Sequence, residues 1–252
     1  MSVFMDLNVM YSSNIKQLQS LVETAAHLGY STVAINYVFE LVAKKKQEIP
    51  SPKPINEIFD KLPMVQGRSR PIRVLNRLTL VMSDASHYPT NSPAFRFFDL
   101  IALHSSSEKV FHAACTLYDI DIICIPVTEK LPFFFKRAPI NAAIERGVAF
   151  EVSYAAAIRD STMRRYTIAN AVCLMESCKG KVCMSLHLIG LLFGLSNRDA
   201  KESISSTCRS VLLRAETRST ASGIVHTWKT QQEALQDSAD TPAAKRMKPS
   251  DS

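Results

Sequence analysis

The spacing of short apolar runs constrains this chain more than any other feature. Runs with strand composition begin near Val3, Thr32, Arg73, Phe98, Asp121, Val148 and Val182, at intervals of 29, 41, 25, 23, 27 and 34 residues. Each interval has room for one strand, a crossover helix and two loops, so the pattern predicts a repeated strand-plus-helix unit. The runs DIICIPV (from Asp121) and VAFEV (from Val148) are apolar almost throughout. A parallel sheet covered on both faces requires that, whereas a half-solvated sheet would alternate. Seven units before Gly223 fit a (β/α) TIM-like barrel better than an open doubly wound sheet.

Punctuation agrees with this reading. Gly29, Gly147 and Gly180 each follow a helical apolar pattern and precede a β-prone run, the place where a left-handed residue ends a helix. Ile15, Leu18, Val22, Ala25 and Ala26 share one helical face, and Asn14 is the expected N-cap. Pro50, Pro52 and Pro54 mark an external loop. A last continuous helix is expected from Asp199 to Arg218, with Ile204, Cys208, Val211 and Leu212 at helical spacing. The apolar pattern stops at Trp228, which predicts one barrel domain over 1–228 and a disordered, basic-ended tail over 229–252.

Several function classes fall away. The most apolar stretch, Val182 to Leu195, is too short to span a membrane, and Asp6 interrupts any N-terminal export signal. Six cysteines without a C-x-x-C pair read as reduced thiols. Seven glycines form neither G-x-G-x-x-G nor a P-loop, so a nucleotide-phosphate cradle is not expected.

Reactive groups of a parallel barrel sit past the C-terminal ends of its strands. Those positions hold Asp6, Asn8, Asn36, Tyr37, Ser83, Asp84, His104, Thr128, Glu129, Ser153, Tyr154, Ser185 and His187. A metal-dependent phosphoesterase is the alternative such a rim suggests, but no H-x-H or H-E-x-x-H pair is present, and strand-capping polar groups are the simpler reading. His104, His112 and Cys115, like Cys173, Cys178 and Cys183, fit packing better than metal binding.

Positive charge is better organised. The net charge is +7, and the last 24 residues contribute nothing to it. Lys61 to Ser83 contains Lys61, Arg68, Arg70, Arg73 and Arg77 with no acid, and Glu129 to Lys181 holds nine bases against five acids. Arg68, Arg70, Arg73, Lys130, Lys136, Arg137, Arg159, Arg164 and Arg165 are therefore the candidate RNA contacts, because a guanidinium binds phosphate bidentately. Aromatic residues are missing from Gln66 to Ser83, and Phe133, Phe134 and Phe135 form one exposed-looking cluster, so a folded RNA read by shape is favoured over a single strand. Lys245, Arg246 and Lys248 in AAKRMKP form a candidate nuclear import signal.

The segments LVETAAHLGYSTVAIN, LPMVQGRSRPIRVLNRLTLVMSD, VTEKLPFFFKRAPINAAIERGVAFEVSYAAAIRDSTMRRYTIANA and LIGLLFGLSNRDAKES resemble the family of thirty-kilodalton protein subunits of eukaryotic ribonuclease P and ribonuclease MRP. The resemblance implies a barrel of the polymerase and histidinol-phosphatase superfamily and a role in tRNA processing, as a subunit supporting removal of the 5′ leader from precursor tRNA, and in rRNA processing. It implies as partners the ribonuclease P or MRP RNA, a small ferredoxin-like subunit and other ribonuclease P proteins, with a nuclear and nucleolar location and no membrane. Active metal-dependent members of that superfamily carry H-x-H after the first strand and D-H after the second, where this chain has Asp6-Leu7-Asn8 and Asn36-Tyr37. No intrinsic active site or bound cofactor is therefore expected, with magnesium placed on the RNA. One departure is visible: between Gly180 and Leu191, where the family has a long loop, only KVCMSLHLIG remains, which predicts a barrel incomplete around strand seven.

Overall fold

A computed structural model describes residues 3–41, 48–89, 92–178, 182–183 and 187–220. Seven parallel strands, β1 (Phe4–Met10), β2 (Tyr30–Glu40), β3 (Arg73–Met82), β4 (Leu100–Ser105), β5 (Ile122–Cys124), β6 (Ala149–Glu151) and β7 (Val182–Cys183), pair in sequence order. Each begins within two residues of its expected start. β7 is two residues long, and β1 and β7 do not pair among the described residues, so the sheet is a curled half-barrel open on one side.

The crossovers hold α1 (Ile15–His27), α2 (Ile55–Ile58), α3 (Glu108–Thr116), α4 (Arg137–Glu145), α5 (Ala155–Arg159) and α6 (Ser161–Cys178). The expected uniform strand-plus-helix unit fails twice. Between β2 and β3 the described residues contain only the one-turn α2, and between β3 and β4 only two 3-10 turns, Ala85–His87 and Pro93–Phe97. Proline is the local reason in both places: Pro50, Pro52 and Pro54 precede α2, and Pro89 precedes and Pro93 opens the second turn, removing the N–H donors that a helix extended toward its N-terminus would need.

Elsewhere the local signals act as expected. Asn14 Oδ1 accepts from the Gln17 N–H at 3.3 Å and caps α1, a contact worth about 1 kcal/mol. Leu18, Val22 and Ala26 carry the buried stripe of α1, while Gly29 and Gly147 take φ of 86° and 75°. Beyond β7 come α7 (His187–Leu192), α8 (Asn197–Ser203) and α9 (Ser206–Thr220). The single helix expected from Asp199 to Arg218 is thus two. Its break has a tertiary cause: the Ile204 carbonyl, released from the helix, accepts from the Met5 N–H of β1 at 2.9 Å.

The sheet separates two kinds of core. Outside it, α1 packs on Val33, Ile35 and Val74, and α3, α4 and α6 pack on Leu78, Leu80, Leu103, Ile123 and Phe150. Inside, Met5, Leu7, Ala34, Leu75, Ala102, Ile122 and Ala149 face Cys208, Val211, Leu212 and Ala215 of α9. That helix fills the concave face at the N-terminal end of the strands. Strand alternation decides which side each residue takes: on β3, Val74, Leu78 and Leu80 point outward while Leu75, Arg77 and Thr79 point inward. The described residues belong to one compact unit, Met1–Ala221; the expected domain end at 228 and Lys245, Arg246 and Lys248 lie outside the described residues.

Candidate functional site: the barrel mouth and the exposed arginines

The C-terminal ends of the strands surround a cavity of about 500 Å3 lined by Asn8, Asn36, Arg77, Thr79, His104, Cys124, Glu151 and Ser153. Its floor is a hydrogen-bonded network on neighbouring strands. Arg77 is fully buried, and its Nη1 and Nη2 donate to Glu151 Oε1 and Oε2 at 2.7 and 2.6 Å. The same guanidinium donates to the Leu7 carbonyl at 2.7 Å and to Thr79 Oγ1 at 3.1 Å. A register shift between Asp6 and Val9 leaves Leu7 out of the β1–β2 ladder and its carbonyl available to that donor. Thr79 donates to Asn36, Asn36 to Asn8, and Asn8 to Glu151, at 2.7, 2.7 and 3.2 Å.

The family-related positions Asn8 and Asn36 are bound to one another, and the Glu151 carboxylate is taken by a guanidinium. Among the described residues no cluster of three His, Cys, Asp or Glu side chains could hold a metal ion. Cys124 lies beneath the ion pair; burial, and next the Glu151 carboxylate, push its thiol pKa well above the ordinary value. Burial holds His104 below its ordinary value, with Glu151 opposing, and its Nδ1 has no hydrogen-bond partner. His112 is exposed on α3 and Cys115 buried, so the three residues do not converge.

The candidate RNA contacts divide between the two ends of the half-barrel. Arg68 and Arg70 lie in the turn before β3 and Arg73 opens that strand, at the N-terminal end. Lys130, Lys136 and Arg137 follow β5, and Arg159, Arg164 and Arg165 follow β6, at the C-terminal end. Lys136 meets Glu108 at 2.7 Å, and Arg164 donates to the Ala157 and Ile158 carbonyls at 2.8 and 3.3 Å, closing the end of α5. Arg70, Lys130, Arg137, Arg159 and Arg165 are exposed and have no ion-pair partner among the described residues.

Two readings of local sequence are corrected. Arg77 belongs to the acid-free segment, yet its charge is matched by Glu151, 74 positions away. Of the three phenylalanines, Phe133 is buried against Phe111 and Phe135 packs edge-on to Phe133, leaving Phe134 alone exposed, at 91%. The Arg77–Glu151 pair itself had no sequence signal apart from an arginine inside an otherwise apolar strand. Arg146, Arg214 and Arg218 were likewise invisible as a set. Arg146 donates to the Ala114, Cys115 and Tyr118 carbonyls, Arg214 to those of Ile120 and Arg146, and Arg218 to the buried Asp121 carboxylate at 3.0 Å.

Fold and site together define a parallel α/β half-barrel whose mouth is neutralised from within and whose exposed cations lie on loops and helix ends at the two ends of the strands. The model of the family "RNase P subunit p30" matches residues 3–186. The chain is 48% identical to the mouse ribonuclease P protein subunit p30, over 98% of this chain and 99% of that one. It is 27% identical to the yeast (Saccharomyces cerevisiae) ribonuclease P/MRP protein subunit RPP1, over 71% of this chain and 64% of that one. A chain of an archaeal ribonuclease P structure with mature tRNA shares the fold at TM-score 0.60 and 14% identity, covering 90% of this chain and 99% of that one. The chain belongs to the RNase P subunit p30 family. The mouse alignment spans 266 positions, more than the 252 residues here, so part of the relative faces a gap in this chain. The family match ends at residue 186, inside the shortened segment.

Proposed function

We propose that this protein is a non-catalytic RNA-binding subunit of ribonuclease P, and of ribonuclease MRP, supporting 5′ leader removal from precursor tRNA and rRNA processing. Membership of the p30 family across nearly the whole chain carries this reading. The exposed cations at both ends of the half-barrel support it, because a rigid scaffold with guanidinium groups on its surface neutralises phosphates without reading bases. Chemistry is assigned to the RNA and its magnesium, with no cofactor on the protein. The Arg77–Glu151 pair supports that assignment by occupying the place where a barrel enzyme keeps its reactive groups.

The proposed partners are the ribonuclease P or MRP RNA, precursor tRNA, a small ferredoxin-like subunit and other ribonuclease P proteins. The proposed location is the nucleus and nucleolus, with Lys245, Arg246 and Lys248 as the import signal. Tagged protein is expected to bring down the catalytic RNA, and its affinity for that RNA to fall linearly on a log–log plot against salt. A flat salt dependence, or phosphodiester turnover with divalent metal that disappears on changing His104, would refute the reading.

A further inference from the structure

The N-terminal end of the half-barrel carries a second concavity, of about 280 Å3, and it gathers cations from three separate elements. Arg70 comes from the turn before β3, Arg73 opens β3, and Arg209 stands near the start of α9. Arg209 lies 136 positions beyond Arg73 in the sequence, so nothing local joins them.

The charge in this pocket is unbalanced. Glu216 is the acid in its lining, 3.4 Å from Arg73, with both side chains more than half exposed. A solvated pair at that distance contributes little and yields readily to a competing anion. Arg70 and Arg209 have no ion-pair partner among the described residues. Three guanidiniums thus face one carboxylate beside an apolar wall formed by Leu212 and the half-exposed Leu213. Arg146, Arg214 and Arg218, on the same end of the barrel, are by contrast engaged with backbone carbonyls and aspartates.

We propose that this pocket seats one backbone phosphodiester of structured RNA, held by Arg70, Arg73 and Arg209, with the adjoining ribose against Leu212 and Leu213. The inference rests on the RNA-binding reading and adds a specific seat to it. Several guanidinium forks lining one concavity favour a phosphate, whose oxygens accept several charge-assisted hydrogen bonds at once. A shape-read RNA offers such groups at regular intervals along its backbone.

The test measures affinity of the full-length chain for transcribed ribonuclease P RNA across a salt series, for Arg209→Ala, Arg70→Ala and Arg209→Lys. Each alanine variant is expected to bind about tenfold more weakly at low salt, with the log–log salt slope flatter by about one. Arg209→Lys is expected to keep the slope and lose part of the affinity, because the charge survives and the fork does not. A thermal melt establishes that each variant is folded, and two variants on different elements keep one misfolded protein from deciding the outcome. Unchanged affinity and slope in both folded alanine variants would overturn the seat while leaving RNA binding intact. RNA binding unchanged but association with the other subunits lost would overturn it too, assigning the pocket to a partner-protein carboxylate. No salt-dependent binding by the unaltered chain would instead defeat the functional reading itself.

Discussion

The two ends of this half-barrel use the same side chain for opposite purposes. At the C-terminal mouth, Arg77 is wholly buried and paired with Glu151. At the N-terminal end, Arg214 and Arg218 fasten α9 across the strands while Arg70 and Arg209 stand in solvent. An arginine's local sequence does not distinguish these roles. What distinguishes them is whether an acid or a carbonyl from a distant element reaches the guanidinium and pays for its desolvation.

The largest effect is expected at the mouth. Arg77→Met should lower stability by about 3–5 kcal/mol, because it leaves Glu151 buried without its partner. Combining it with Glu151→Leu should recover much of that loss, since removing both charges also removes both desolvation costs. Urea denaturation of the two variants checks the prediction. A double variant as unstable as the single one would mean that the network as a whole, and not the isolated charge, sets the cost.

At the other end, Arg218→Ala should cost about 2 kcal/mol. Asp121 keeps its bond from the Ile101 N–H and its contact with Arg214 at 3.9 Å, so the loss is partial. The same denaturation series ranks it against Arg77, and an equal or greater loss would invert the comparison.

A smaller effect concerns pH. His104 has its folded-state pKa lowered, chiefly by burial, so the unfolded chain takes up its proton first as pH falls. Stability attributable to this residue is full above the unfolded value near 6.5 and declines as pH drops from there toward the folded value. Unfolding midpoints at pH 7.5 and 5.5 should therefore differ more for the unaltered chain than for His104→Gln. Equal differences would remove His104 as the source.

The smallest expected change is a rate difference without a stability effect. Cys173 is exposed, and Cys115, Cys124, Cys178 and Cys208 are buried. Under native conditions Cys173 should alkylate well before those four, read by mass spectrometry after digestion, and early modification of Cys124 would mean that the mouth opens.

Much of the architecture was already legible before folding. Strand starts could be read because a parallel strand covered on both faces must be apolar along its length, and that mark is local. The caps at Asn14, Gly29 and Gly147 were legible for the same reason: each satisfies groups within a few residues of itself. The Asp199 to Arg218 segment misled because helical periodicity runs through it unbroken, and only the bond from Met5 to Ile204 shows why the chain breaks there. Phe133, Phe134 and Phe135 misled likewise, since three consecutive rings cannot all face one side of an extended segment.

The sequence by itself determined the class of fold, the order of its strands and the excess of positive charge, because β/α periodicity and net charge are properties of neighbouring residues and of sums. Only the tertiary structure decided which arginines are spent. Arg77 with Glu151 and Arg218 with Asp121 are pairings across 74 and 97 positions, whereas Arg209 and Arg70, 139 positions apart, line one pocket unpaired among the described residues. Whether a charge is neutralised depends on distances of a few ångströms between groups that sequence keeps far apart, and burial raises the strength of each such contact severalfold.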